Sequence, residues 1–235
     1  MILCPVCNNQ NHHLSVTCST CGSYIQTTID NLDLFTTAWN ILEKPKKTFH
    51  RVAIAKHKNY GLVLSAVAGI AIVYFIFWCI KAADYTQSLL NFLIAGFVIG
   101  PVVGIFSVLI FSLLIMSIVK LSRVKMNFRS IFAVVAYSLV PIVISVIIIL
   151  PIEIMTFGLF FFSSNPPPYE LKPVSYFSLI ALDSILGLWS LILIWVGVKK
   201  ITDKGWVYSL FISLIAMLLY SVIMIGIIYY LLAKI

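Results

Sequence analysis

Five stretches of the chain, each twenty or more residues long, carry almost no charge, and this fixes the solvent in which most of it can fold. They run at about 61–80, 89–118, 130–150, 175–198 and 206–232, with Asp183 as the single charged residue inside them. About twenty apolar residues in a helix cross a hydrocarbon layer of roughly 30 Å. No water reaches the backbone there, so each stretch must satisfy its own N–H and C=O groups as a helix. The chain is 61% hydrophobic, against roughly 45–50% for soluble domains. The sequence therefore specifies an all-α membrane protein with five transmembrane helices, integral and multi-pass, in contact with membrane lipids.

The second stretch is long for one crossing, since thirty residues at about 1.5 Å each reach roughly 45 Å. Gly100-Pro101 inside it predicts a kink. Its first part could lie obliquely or in the interface, or the stretch could form two short crossings. Charge favours five spans. Lys44, Lys46, Lys47, Arg51, Lys56, Lys58, Lys120, Arg123, Lys125, Arg129, Lys199, Lys200 and Lys204 fall on one side of a five-span chain, and only Lys81, Lys172 and Lys234 on the other. Cytoplasmic loops collect Lys and Arg, which puts the N-terminus inside and the C-terminus outside. The same rule accounts for the formal net charge of +8. The opening "MILCPVC" has no basic n-region and is broken by Pro5, so no cleavable signal peptide is expected and the first span must target the chain. "SSNPPPYELKP" (Ser163–Pro173) then falls outside as a stiff, polyproline-like connector. No long internal repeat of the inverted-transporter kind is visible.

Residues 1–28 are of another kind. Cys4-x-x-Cys7 and Cys18-x-x-Cys21 are two knuckles, each able to set two thiolates on one side of a tight turn. Four thiolates make the tetrahedral donor set that zinc prefers, and a filled set marks a structural Zn2+ rather than a catalytic one. So small a module cannot bury a core, and the metal must hold it. Two disulfides are the alternative, disfavoured on a cytosolic face. His12 and His13 fall in the loop between knuckles, at an expected solvated tip. No Lys or Arg occurs from Met1 to Ile29, so no nucleic acid is expected as a partner. A protein partner fits better. Cys79, in the first span, reads as an apolar filler.

Residues 29–60 read as an amphipathic juxtamembrane helix and a basic linker. Asp30 or Asn31 can cap the helix, Leu32, Phe35, Trp39 and Leu42 form a stripe at helical spacing, and Pro45 should end it. The stripe suits either the headgroup layer or the protein's own spans. His50 and His57 are expected to face headgroups or water.

Within the spans, Gly96, Gly100 and Gly104 form a double GxxxG pattern, matched by Gly61, Ser65 and Gly69. Small residues four apart allow close helix packing, within one chain or in a homo-oligomer. Asp183 is the costliest residue in the chain and a candidate functional site. Pro141 should lie at similar depth and removes the bond to the Tyr137 carbonyl. Asp183 could donate to that carbonyl or meet Ser138 or Ser145. Glu153, after Pro151, is expected to be hydrated. No HExxH, GxSxG, P-loop or Rossmann glycine pattern occurs, and no enzyme is expected.

Three segments carry a family likeness. "LEKPKKTFHRVA" (Leu42–Ala53) is similar to the P-x-x-T-F-x-x-[IV]-A start of bacterial Yip-family proteins. "NFRSIFAVVAYSLVPIVI" (Asn127–Ile144) resembles their AYS-x-x-P third span. "LGLWSLILIWVGVKKITDKG" (Leu186–Gly205) resembles their W-x-L-x-L-x-x-x-G fourth span and basic turn. The likeness covers about residues 42–232. It implies a five-span domain over 61–235 with a cytosolic N-terminus. Eukaryotic members of the family (the name means Ypt/Rab-interacting) are implicated in vesicle trafficking, and some bacterial relatives accompany ABC-type exporters. The ribbon resembles those appended to prokaryotic members and departs from the eukaryotic pattern. The resemblance implies an adaptor or assembly factor in a prokaryotic cytoplasmic membrane, contacting a protein partner through ribbon or spans, and brings no catalytic residues. A small transporter or channel subunit using Asp183 is the alternative. A ribbon sensing zinc or redox state is a third reading.

Overall fold

The structure, a computed structural model, describes residues 1–27, 29–58, 60–86, 88–121 and 126–233. Arg123, Lys125 and Lys234 lie outside them. Among the described residues, five helical segments are long and apolar enough to cross a membrane: Gly61–Cys79, Leu89–Leu121, Val140–Phe162, Pro173–Thr202 and Trp206–Leu232.

The N-terminal knot pairs β1 (Ile2–Leu3) with β2 (Gln10–Asn11) in antiparallel fashion, Ile2 opposite Asn11. Helix α1 (Leu34–Glu43) follows. Its cap is Asp33, not Asp30 or Asn31, and the Asp33 carboxylate accepts the Thr36 N–H at 2.7 Å. Pro45 ends α1 and also opens α2 (Pro45–Ile54), because a proline needs no N–H bond at the first helical position. The basic stretch is thus a second helix rather than a linker. Thr48 locks the corner, donating to the Asn40 and Lys44 carbonyls.

Helices α3 (Gly61–Cys79) and α4 (Leu89–Leu121) form the closest pair in the molecule. A Cβ on Gly69 would stand 2.1 Å from the Gly100 carbonyl oxygen, and one on Gly104 would stand 2.1 Å from that of Ser65. The stripes read from the sequence therefore face each other inside one chain, at backbone-to-backbone distance. Gly96 makes room for the Tyr74 ring, while Gly61 packs on Phe132 instead. α4 runs as one helix through Pro101, with no interfacial break.

The third span starts later than the sequence suggests. α5 (Phe128–Ser138) is a short helix buried between α2, α4 and α9, with Ile131, Val134, Val135 and Tyr137 in the core. The chain breaks at Leu139, two residues before Pro141. It then runs through α6 (Val140–Ile144), a π turn (Ser145–Ile149), α7 (Leu150–Phe157) and a 3-10 turn (Gly158–Phe162). So the crossing is Val140–Phe162, not 130–150. Pro151 does not end it. The wider π turn ahead relieves the clash of a proline ring with the carbonyl four residues earlier.

The Pro-rich loop is tied down rather than free-standing. Ser163 and Ser164 donate to the Asp84 carboxylate, and Pro168–Leu171 (α8) is a helical turn. α9 (Pro173–Thr202) returns to the ribbon end, and α10 (Trp206–Leu232) buries Ser209, Ile212, Ser213 and Ala216, with Tyr220 past its midpoint meeting Ser107 and Phe111.

Gly69→Ala and Gly104→Ala are expected to destabilise the protein by about 1–3 kcal/mol through overpacking. Gly226→Ala, with nothing within 4 Å of the new Cβ, should be neutral. Thermal unfolding in detergent compares the three.

Candidate metal centre

The two knuckles converge. The Sγ atoms of Cys4, Cys7, Cys18 and Cys21 all lie within 4.8 Å of one another, with Cys4 and Cys21 at 3.6 Å and Cys7 and Cys18 at 3.5 Å. A tetrahedral ion with metal–sulfur bonds of about 2.3 Å separates its sulfurs by roughly 3.8 Å. The spacing fits such an ion, and no disulfide is formed.

The surroundings fit as well. The Val6 N–H points at Cys4 Sγ and the Thr20 N–H at Cys18 Sγ, both at 3.5 Å, and the Asn11 amide adds a third donor on Cys18. The N–H groups of Cys21 and Thr20 pull the Cys18 thiol down to about 6. The hydroxyl of Ser23 holds Cys4 below the usual thiol range. Donors aimed at sulfur stabilise thiolate, the form that binds metal. Gly22, at φ +71°, supplies the left-handed residue that turns the second knuckle back.

The ribbon is not a free knob. Its loop sits on the end of α9. His13 Nε2 is 3.3 Å from the Lys200 carbonyl and Nδ1 is 3.7 Å from the Asp203 carboxylate. Gln26 donates to the His13 and Ser15 carbonyls, and its own Oε1 meets His50 Nε2 at 2.9 Å. His13 and His50 are therefore half-buried joints between ribbon and helices, not solvated groups. His12 and His57 are exposed, as expected. The stripe of α1 divides: Leu32 is buried, while Phe35 and Trp39 are 83% and 67% exposed. At the same end Lys46 and Lys199 stack on Trp206. This is the aromatic and basic trim of a membrane interface.

The intramembrane residues fall out differently. Ser138 donates to the Val134 carbonyl of its own helix, and Tyr137 is fully buried. Asp183 accepts from Ser145 at 2.5 Å. Glu153 is not at a hydrated span end: it is 4% exposed and lines the same cavity as Asp183. It lies inside the span because the crossing continues past Leu150 to Phe162. The apolar run Ile154–Phe162, which resumes behind Glu153, was the signal that the helix continues.

The family model for the Yip1 domain matches residues 39–226. The chain belongs to the Yip1 family. Neither a curated protein nor a solved structure matches it. The Yip1 domain thus covers α1 from Trp39 to most of α10, and the cysteine cluster lies ahead of it. Since His13, Lys200 and Asp203 join the two parts, the ribbon rests on the Yip1 domain itself.

Two outcomes follow from this geometry. The purified Yip1-family chain should carry one equivalent of tightly held metal by elemental analysis, and Cys4→Ser with Cys7→Ser should lose it. Burial pushes His13 and His50 below the usual histidine range, with Asp203 opposing at His13 and Lys200 adding at His50. An undocked ribbon has ordinary histidines near about 6.5, which bind protons more readily. Docking is then fully stable above that pH and weakens as pH falls. Hydrogen exchange over residues 1–27, corrected for intrinsic rate, should quicken between pH 7.5 and 5.5, and less so in a His13→Gln, His50→Gln chain.

Proposed function

We propose that this chain is an integral membrane adaptor or assembly factor of Yip-like type. Its N-terminal ribbon, held by structural Zn2+ on Cys4, Cys7, Cys18 and Cys21, makes the protein contact. The ribbon lies on the cytoplasmic side of a prokaryotic cytoplasmic membrane, and the partner belongs to a membrane transport or trafficking complex.

The observation that carries this reading is the ribbon's outer surface. Leu3, Val6 and Tyr24 are 61%, 71% and 68% exposed on a module with no lysine or arginine. Exposed apolar side chains on a metal-stiffened module suit a protein partner rather than a phosphate backbone. The side assignment rests on the described cations, which gather at the ribbon end of the spans, leaving Lys81 and Lys172 at the other. The α3 and α4 glycines are consumed within one chain, so a homo-oligomer would have to use another surface, such as the exposed half of α10.

A second reading, a small transporter or channel subunit, is favoured by the contact of Asp183 with Ser145 beside buried Glu153. Affinity purification from native membranes separates the two. The adaptor reading expects a specific co-purifying protein, lost in Leu3→Ser, Val6→Ser that still holds its metal, and retained in Asp183→Asn. Retention of all proteins by the ribbon variant would sink it.

A further inference from the structure

A cavity of about 390 Å³ opens between α3, the third span and α9. Its size is that of a small-molecule site. Most of its wall is aromatic and aliphatic: Tyr74, Phe75, Trp78, Phe161 and Phe162 are among the lining residues. Two carboxyls, Glu153 and Asp183, stand at its polar patch.

The hydrogen bonds around the cavity leave a specific deficit. Tyr74 donates to the Leu93 carbonyl, Ser184 to the Ile180 carbonyl, and Ser145 to Asp183. Those groups are satisfied. Two lining groups are not: Glu153, whose side chain is buried and whose Oε1 has no partner among the described residues, and the Trp78 indole N–H, which also lacks one. A buried carboxyl oxygen left without a donor is costly, and in hydrocarbon the cost is higher still. Two carboxyls lining one cavity present it with acceptor oxygens and, wherever one is ionised, with negative charge. No Lys or Arg is among the lining residues. Lys81 is not a lining residue, though its Nζ lies over the ring of Trp78, which is, at 4.7 Å.

The wall decides what kind of cation completes the site. An inorganic ion needs a shell of oxygens, and here most oxygens besides the carboxyls are already committed. Aromatic rings around a negative centre are instead the surroundings that hold organic ammonium groups. Among the lining residues, Phe75 and Ser184 are exposed and sit on membrane-spanning helices, so the cavity reaches a lipid-facing surface. Asp183 is ten residues into α9, or roughly 15 Å along it, a depth that the head of a tailed molecule can reach from the nearer leaflet.

We propose that this cavity binds a monovalent organic cation carrying a hydrocarbon tail, an amphiphilic ammonium. Its charge is held by Glu153 and Asp183 and its tail leaves between α3 and α9. The proposal concerns binding alone. It rests on the second reading's view of Asp183 as a working residue and is independent of the adaptor role.

The test uses the full-length protein in maltoside detergent, with dodecyltrimethylammonium as probe and dodecanol as its neutral counterpart. Native mass spectrometry should show one bound probe, absent with dodecanol, with affinity reduced at least about tenfold in Glu153→Gln and in Asp183→Asn. Should either variant fold poorly, the native chain still decides. Dicyclohexylcarbodiimide should label Glu153, and the ammonium but not the alcohol should protect it. Equal binding by the native chain and the double variant would overturn the site. So would protection by sodium chloride that matches protection by the ammonium. Absence of probe binding together with Asp183-dependent proton flux in liposomes would overturn the ammonium site and leave the transport reading standing. Absence of both would overturn the two together.

Discussion

The backbone of α3 touches that of α4 at Gly69, Gly100 and Gly104, and the other helices take their places around that pair. In lipid, apolar side chains gain little by leaving the solvent, so helices associate through close contact and satisfied polar groups. Three glycines and a serine remove the side chains that would hold the two backbones apart. The pair then offers its remaining faces. α5 and α10 lie along α4, while the third span leans on α3 and α9 closes the far side. α10 buries residues only over its earlier turns, up to Ala216, which fits a molecule organised from one side outward.

Two cores divide the work along the membrane normal. At the ribbon end, α5 is enclosed by Phe49, Val52, Ile115, Val119, Leu193 and Ile201. At the other end a cluster of rings, Tyr74, Phe92, Phe157, Phe161, Phe162 and Tyr176, holds the loop-side termini together. The break at Leu139 packs on the first core, and the π turn enters the second through Val146 and Ile149. The acidic cavity opens beside that irregular stretch, at the far-end core. Irregular backbone inside a membrane persists where protein or a cavity surrounds it, and this chain follows that rule.

Much of the fold was legible because its causes are local. Span number follows from uncharged length. The cysteine cluster follows from two short Cys spacings, each of which closes within its own turn. The glycine pairing follows from four-residue periodicity. What could not be read depended on residues far apart in sequence. Glu153 looked like the hydrated end of a span, since Pro151 is a common stop, and only the π turn lets the helix pass it. His13 and His50 looked like solvated groups, since nothing near them in sequence names Gln26, Lys200 or Asp203 as neighbours. Likewise the stripe of α1 was visible, but its division into buried Leu32 and exposed Phe35 and Trp39 depends on where α2 turns back.

The seat of the ribbon on α9 has a consequence in time. His13 and the Lys200 carbonyl it meets are 187 residues apart. At about 5–20 residues per second of synthesis, the ribbon leaves the ribosome roughly 10–40 s before its seat exists. During that interval it must hold itself together on its four sulfurs and whatever ion they carry. When the turn after the fourth span finally emerges, the beginning of the chain can close onto it. Closure then marks a nascent protein whose first four crossings are all in place.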